Sequence, residues 1–193
     1  MWAGGRIYGG FWQRIKREWR KTIEIDGVAA TELDYKANHP SMVYHLSTGE
    51  PIPSDCYAIA GYDRDIVKIA VMMMMINNDD SSKAAAALVQ KVRKKLNKSI
   101  SHDVGRSLIA SLEELHAPIV PYLYDKRLGK TLQVIEGEIA SDILLTLLQD
   151  GVPCLPVHDS FIVASPHRER LRTAMIDSYK KHLNKEPRID TKY

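Results

Sequence analysis

The sequence predicts an α+β fold, an antiparallel sheet carrying an inserted, mostly helical lobe. Three observations lead there. A strand–turn–strand pattern ends at residue 35, a long block of helical patterning follows, and a second pair of strand-like runs comes at 152–165 with a helix behind it. Strand pairs split by helices suit a sheet assembled from both ends of a chain. The boundaries fall at 1–48 for the first strands, 49–120 for the lobe and 121–193 for the second strand pair.

The first strand pair is 22-TIEIDGVAATELDY-35. Asp26-Gly27 is a favoured two-residue hairpin turn because both central positions tolerate positive φ. Its second strand ends at Asp34. Pro51, Pro53 and Gly61 mark a loop over 50–61. An apolar helix spans 63–77, and NNDDSS breaks it and caps the next, roughly 83–97. A helix over 103–116 places Leu108, Ile109, Leu112 and Leu115 on one face, with His102-Asp103 as its expected cap. Residues 138–149 form a helix that stops at Gly151. The stretch 152-VPCLPVHDSFIVAS-165 reads as two buried strands around a polar bend. A last amphipathic helix covers 167–184 through Leu171, Met175, Tyr179 and Leu183.

At 193 residues, 45% apolar and 26% charged, the composition is that of an ordinary globular protein. No apolar run approaches the roughly 18–20 residues of a membrane span, and the N-terminus lacks a signal-peptide core. Cys56 and Cys154 stand alone, without a CxxC, so no disulfide framework or zinc site is suggested. The cytoplasm is the simplest compartment. The net charge of +3 is mild, but it is clustered. Residues 1–24 carry Arg6, Arg14, Lys16, Arg17, Arg20 and Lys21 against Glu18 and Glu24, interleaved with Phe11, Trp12 and Trp19. Residues 83–98 carry six Lys/Arg and no acid. Such clusters suit a nucleic-acid backbone, with a solvated helix face as the alternative.

The bend at 158–160 poses the chemical question. An ionised Asp159 beside apolar strands is costly unless something pairs with it, and a metal ion is one such partner. In an antiparallel sheet Asp34, at a strand end, and Asp159 can lie side by side. Two divalent cations resolve the repulsion of converging carboxylates and stabilise the attacking and leaving oxygens of an in-line phosphoryl displacement. Mg²⁺ keeps waters and substrate phosphates in its shell, so two Asp suffice. Arg64 and Lys68, at i and i+4 in 64-RDIVKIAVMMMMIN-77, share a helix face with Met72 one turn on. Cations beside a flat apolar surface suit a nucleoside triphosphate. The alternatives are that Asp34 simply ends a strand, and that Arg64 pairs with Asp63 or Asp65 while Lys68 snorkels. Met72–Met75 as a group read as core.

Together these stretches resemble the polymerase core of family A, the DNA polymerase I family, whose relatives include the single-subunit phage-type RNA polymerases. That family places a Gly-Arg and a downstream Gln in a template–primer contact region, here Gly5-Arg6 and Gln13 followed by Arg14 and Arg17. Its first catalytic motif is a strand ending in Asp-Tyr, here Asp34-Tyr35. Its second is a helix with Arg and Lys, matched by Arg64 and Lys68. Its third is a β-turn-β bearing His-Asp, here His158-Asp159, and before it come a Gln and a helix, resembling 132-LQVIEGEIASDIL-144 with Gln133 and Glu136. The aromatic and tyrosine of the family's nucleotide helix are Met72 and Ile76 here. His39 stands where the DNA enzymes carry a Glu that excludes a ribose 2′-hydroxyl. Ser160 matches the RNA polymerases.

The resemblance implies a palm-type sheet with a reduced fingers-like lobe. It also implies a template-directed DNA polymerase without thumb or exonuclease, acting in DNA replication or repair. Asp34 and Asp159 would hold two Mg²⁺ or Mn²⁺, with Lys68 as a catalytic cation. Arg64, Lys68, Met72, Ile76, His39 and Tyr35 would surround the nucleotide. Arg6, Gln13, Arg14, Arg17, Gln133, Glu136 and His158 would contact nucleic acid, although Gln133 and Glu136 also read as solvent-facing. The partners would be a primed DNA template, dNTPs and an accessory protein for the missing thumb. RNA synthesis or priming with rNTPs is the alternative that His39 and Ser160 favour. A degenerate palm that binds nucleic acid without turnover is another. A His-Asp phosphohydrolase using His102-Asp103 as well fits less, because such sites put their His-Asp on helices.

Overall fold

The computed structural model describes residues 7–50, 52–76 and 79–193. Arg6, Pro51 and the Asn77-Asn78 break lie outside them. Along the chain come α1 (Arg17–Arg20), β1 (Glu24–Ile25), β2 (Val28–Tyr35), α2 (Asn38–Ser47), α3 (Arg64–Met75), α4 (Ser81–Leu96) and α5 (His102–Leu115). Then follow α6 (Val120–Leu123), α7 (Leu128–Gln149), β3 (Leu155–Val157), β4 (Ser160–Ala164), α8 (Arg168–Leu183) and β5 (Ile189–Thr191). The chain forms two compact units, one from residues up to Asn38 with Gln133–Tyr193, the other from His39–Leu132. The first holds every described strand, all antiparallel, and the second is helical, so the protein is α+β. The helical unit is wider than the 49–120 read from sequence.

In the sheet unit the order is β1-β2-β4-β3, with β5 also paired to β2. The β1–β2 turn has φ 54° at Asp26 and 76° at Gly27, the double positive φ that the dipeptide favours. Strand alternation then gives β2 two faces. Leu33 and Tyr35 share a face with Phe161. Tyr35 lies edge-on to Phe161 and against Tyr179 of α8, and its hydroxyl donates to the Met175 carbonyl at 2.6 Å. The opposite face begins apolar, with Ile25, Ala30, Ile162 and Ala164 packed together, and turns polar toward the strand end at Glu32, Asp34 and Ser160.

In the helical unit α3, α4 and α5 pack mutually through Val67, Ala70, Met74, Leu88, Val92, Leu108 and Leu112, all buried. Gly105 allows α5 close to α4, since a Cβ there would stand 3.3 Å from the Ala85 carbonyl. The caps are Asp63, Asp80 and Ser101, each accepting from a backbone N–H in the first turn. The expected His102-Asp103 cap is therefore corrected. Ser101 takes that role, and Asp103 pairs with Arg106 instead. His116 is buried, and burial lowers its pKa, which keeps the ring neutral. Its Nε2 lies 3.0 Å from the Cys56 carbonyl and its Nδ1 3.2 Å from the Tyr44 hydroxyl. A carbonyl only accepts, so Nε2 carries the proton and Nδ1 receives the tyrosine's. Among the described residues no helix is long and apolar enough to cross a membrane.

Candidate active site

The site grows out of the register of β2. Asp34 stands opposite Ser160 on one side and Asp190 on the other. Val157 pairs with Ser160, so His158 and Asp159 alone make the β3–β4 turn. The Tyr35 N–H donates to the Asp159 carbonyl at 3.1 Å, which ties the bend to the end of β2. The two aspartates expected to act together are thereby neighbours along adjoining backbone, from positions far apart in sequence. His158 has φ 60°. Only the first turn residue is left-handed, a place usually given to glycine. Its ring meets Tyr8 edge-on at 5.6 Å.

Two elements of this site lie outside the expected residues. Glu32, two residues before Asp34 and so on its face, is 1% exposed. Its carboxylate accepts from Ser160 Oγ at 2.7 Å and from Arg20 Nε at 3.2 Å. It clamps the first residue of β4, and with it the neighbouring Asp159, onto β2. The second is Lys192. Its N–H donates to the Glu32 carbonyl at 2.8 Å, and its ammonium forms an ion pair with Asp34.

Burial raises the pKa of Asp34, Lys192 opposes that by hydrogen bond and charge, and Glu32 and Asp190 add to the rise. The native state thus holds this proton more tightly than the unfolded chain. That contribution to stability is complete below the unfolded carboxylate value of ~3.9 and lost as pH rises through the folded value. Asp34→Asn should therefore gain stability relative to the native sequence between pH 3 and pH 7, as read by urea unfolding at stepped pH. A difference that is flat or falls over that range would contradict the sign.

A divalent ion at this strand end would be held by Asp34, which already draws the Lys192 ammonium, with Asp159 on the adjoining bend. Among the described residues no group of three or more metal-ligating side chains gathers, so such an ion would take its remaining ligands from water and substrate oxygens.

The other expected residues fall in several places. Tyr35 is corrected: it faces the core, its hydroxyl is spent on α8, and it is not free to meet a nucleotide. Glu136 is buried rather than solvent-facing, in a crevice shared with Asn38, His158 and Asp159, so it meets the bend and not an open surface. Gln133 is half-buried on α7. Gln13 is occupied structurally. Its amide donates to the carbonyls of Ile7 (2.8 Å) and Pro156 (2.9 Å) and accepts from the Gly9 N–H, docking the N-terminal segment on β3. Arg14 and Arg17 are exposed and have no acidic partner among the described residues.

In the helical unit Arg64 and Lys68 share a half-exposed face of α3. Arg64 pairs with neither Asp63 nor Asp65; it grips Asp55 bidentately at 2.5 and 3.0 Å, and its guanidinium lies 5.5 Å from the centre of the Tyr57 ring. Of the four consecutive methionines only Met72 is partly exposed, while Met73, Met74 and Met75 are core. Ile76 caps the helix, and His39 lies half-buried in the first turn of α2. No protein-family model matches the chain, and no curated protein matches its sequence.

Proposed function

We propose that the chain is a template-directed nucleotidyltransferase of the DNA polymerase I type, extending primed DNA with dNTPs on a palm-type sheet with an inserted fingers-like lobe. The observation that supports the reading is the pairing of Asp34 with Ser160, the residue after Asp159, at the end of β2. Mg²⁺ or Mn²⁺ held there would stabilise the attacking and leaving oxygens of in-line phosphoryl transfer. The chain's own part is positional. The Glu32–Ser160 bond fixes the bend against β2, and Lys192 balances charge at Asp34. Arg64 and Lys68 offer a guanidinium and an ammonium for a triphosphate, Arg64 exchanging Asp55 for phosphate oxygens.

A second reading, a palm that binds nucleic acid without turnover, is favoured by one observation: an ammonium already sits on Asp34. Extension of a labelled primer on a DNA template separates the two. Offered dNTPs or rNTPs with Mg²⁺ or Mn²⁺, the protein should add template-matched nucleotides, and Asp159→Ala should lower the rate on the order of 10⁴-fold. The sugar accepted decides between DNA and RNA synthesis. No incorporation by folded protein under any of these conditions would sink the enzyme reading.

A further inference from the structure

The segment ahead of the sheet carries a surface that the chemistry above does not use. We propose that Phe11 and Trp19 form a stacking platform for the unpaired bases of a single-stranded nucleic acid, with Arg14, Lys16 and Arg17 tracking its phosphates. The two rings are 59% and 62% exposed. Both line one open depression of about 720 Å³, floored by Ile15 and Ile23. That volume lies within the ~300–1,000 Å³ of ligand sites. Exposed aromatics gathered at one place mark an interaction surface, since water solvates their faces poorly.

The platform is held in place from below. Trp12 donates its indole N–H to the Pro156 carbonyl at 2.9 Å, and Phe11 rests edge-on against Trp12 with centroids 5.4 Å apart. The Phe11 ring is thus oriented with a face left over. The Trp19 carbonyl accepts from both the N–H and the hydroxyl of Thr22, closing the turn that presents its side chain. The charge around the rings is positive. Arg14, Arg17 and Lys21 have no acidic partner among the described residues, and Lys16 reaches Glu18 only at 3.8 Å, both highly exposed. Such a pair is worth little. Among the described basic residues of this segment, Arg20 turns inward, to Glu32.

An occupant must therefore combine negative charge with flat, accessible rings. A duplex hides its base faces in the stack. An acidic peptide would satisfy the arginines and leave Phe11 and Trp19 without a partner. A single strand supplies both, by the same combination of basic groove and aromatic platform that single-strand binders use. The inference rests on the proposed function only in identifying that strand as the unpaired template.

The test is binding of a labelled oligothymidylate without metal or nucleotide, followed by anisotropy and by tryptophan fluorescence. Phe11→Ala and Trp19→Ala should each weaken binding about 5- to 100-fold. Trp19→Phe should keep most of the affinity while losing most of the fluorescence quench. Leu148→Ala, an exposed apolar change on α7, should alter nothing. Arg14→Ala and Arg17→Ala should each lower the salt slope by about 0.7. An abasic strand of equal length bound as tightly as oligothymidylate would overturn the proposal, as would poly-glutamate competing equally at matched charge. Because no incorporation is read, an inactive protein that binds this way leaves the proposal standing, and an active polymerase indifferent to these substitutions defeats it alone.

Discussion

Replacing Glu32 with alanine is expected to cost about 3–5 kcal/mol of stability, the largest loss of any single polar substitution in the sheet unit. The carboxylate is 1% exposed, and it joins three parts of the chain. Ser160 of β4 donates to one oxygen, Arg20 of α1 to the other, and both donors are themselves largely buried. Removing the acceptor strands a guanidinium away from water, and stranding a charge costs more than the net worth of the pair. Glu32→Gln should lose somewhat less but still a large part, because its single amide oxygen can receive Ser160 or Arg20 but not both, and the buried guanidinium loses its counter-charge. The paired change Glu32→Leu with Arg20→Met should recover most of the loss by removing both buried charges. Urea unfolding measures all three. A loss below about 1 kcal/mol in Glu32→Ala would mean that Arg20 and Ser160 find other partners, and the clamp on the bend would have to be sought elsewhere.

The sequence makes legible those parts of this architecture that local chemistry dictates. Asp26-Gly27 announces its hairpin because positive φ at two successive residues is a local requirement. The caps at Asp80 and the stop at Gly151 are legible for the same reason. The Val157–Ser160 hairpin is legible from its apolar flanks. Elements governed by tertiary contact are not. β5 is three residues long, too short for a period of two to show, yet it delivers Lys192 to Asp34. α2 is hidden by Asn38-His39-Pro40, which reads as a turn. α7 begins ten residues before the expected 138, at Leu128, because Gly129 and Gly137 resemble breaks. Gly129 is there for a different reason: a Cβ would stand 3.1 Å from the Met75 carbonyl of α3. The approach of the bend that carries Asp159 to the end of β2 is legible from the strand end and the hairpin. The face assignment of Tyr35 was also available, since the residue after Asp34 must point the other way along a strand. Glu32 was equally within reach as the residue two before Asp34, whereas nothing in the sequence ties Arg20 or Lys192 to this end of β2.

Asp34→Asn and Asp159→Asn should each reduce primer extension by on the order of 10³–10⁴, and the double variant should be no slower than the worse single. The argument is geometric. The Tyr35 N–H bonds to the Asp159 carbonyl, and Asp34 stands opposite Ser160, so the backbone positions of the two aspartates are tied together. If both hold the same cations, losing either removes the whole of what they hold, and the second substitution has nothing left to take away. Asparagine is the right replacement because it keeps the shape of the turn and of the strand end while removing the charge. The stability readings serve as a control. Asp159→Asn should unfold at nearly the native midpoint, and Asp34→Asn should show the pH-dependent gain described above, so neither loss of rate traces to a lost fold. Losses that multiply in the double variant would mean that the carboxylates act independently, and the shared site would fail even if each aspartate proved necessary. Losses that do not multiply, together with an intact fold, would make the strand edge that unites Asp34 and Asp159 the centre of the chemistry, with Lys192 as the charge it holds in reserve.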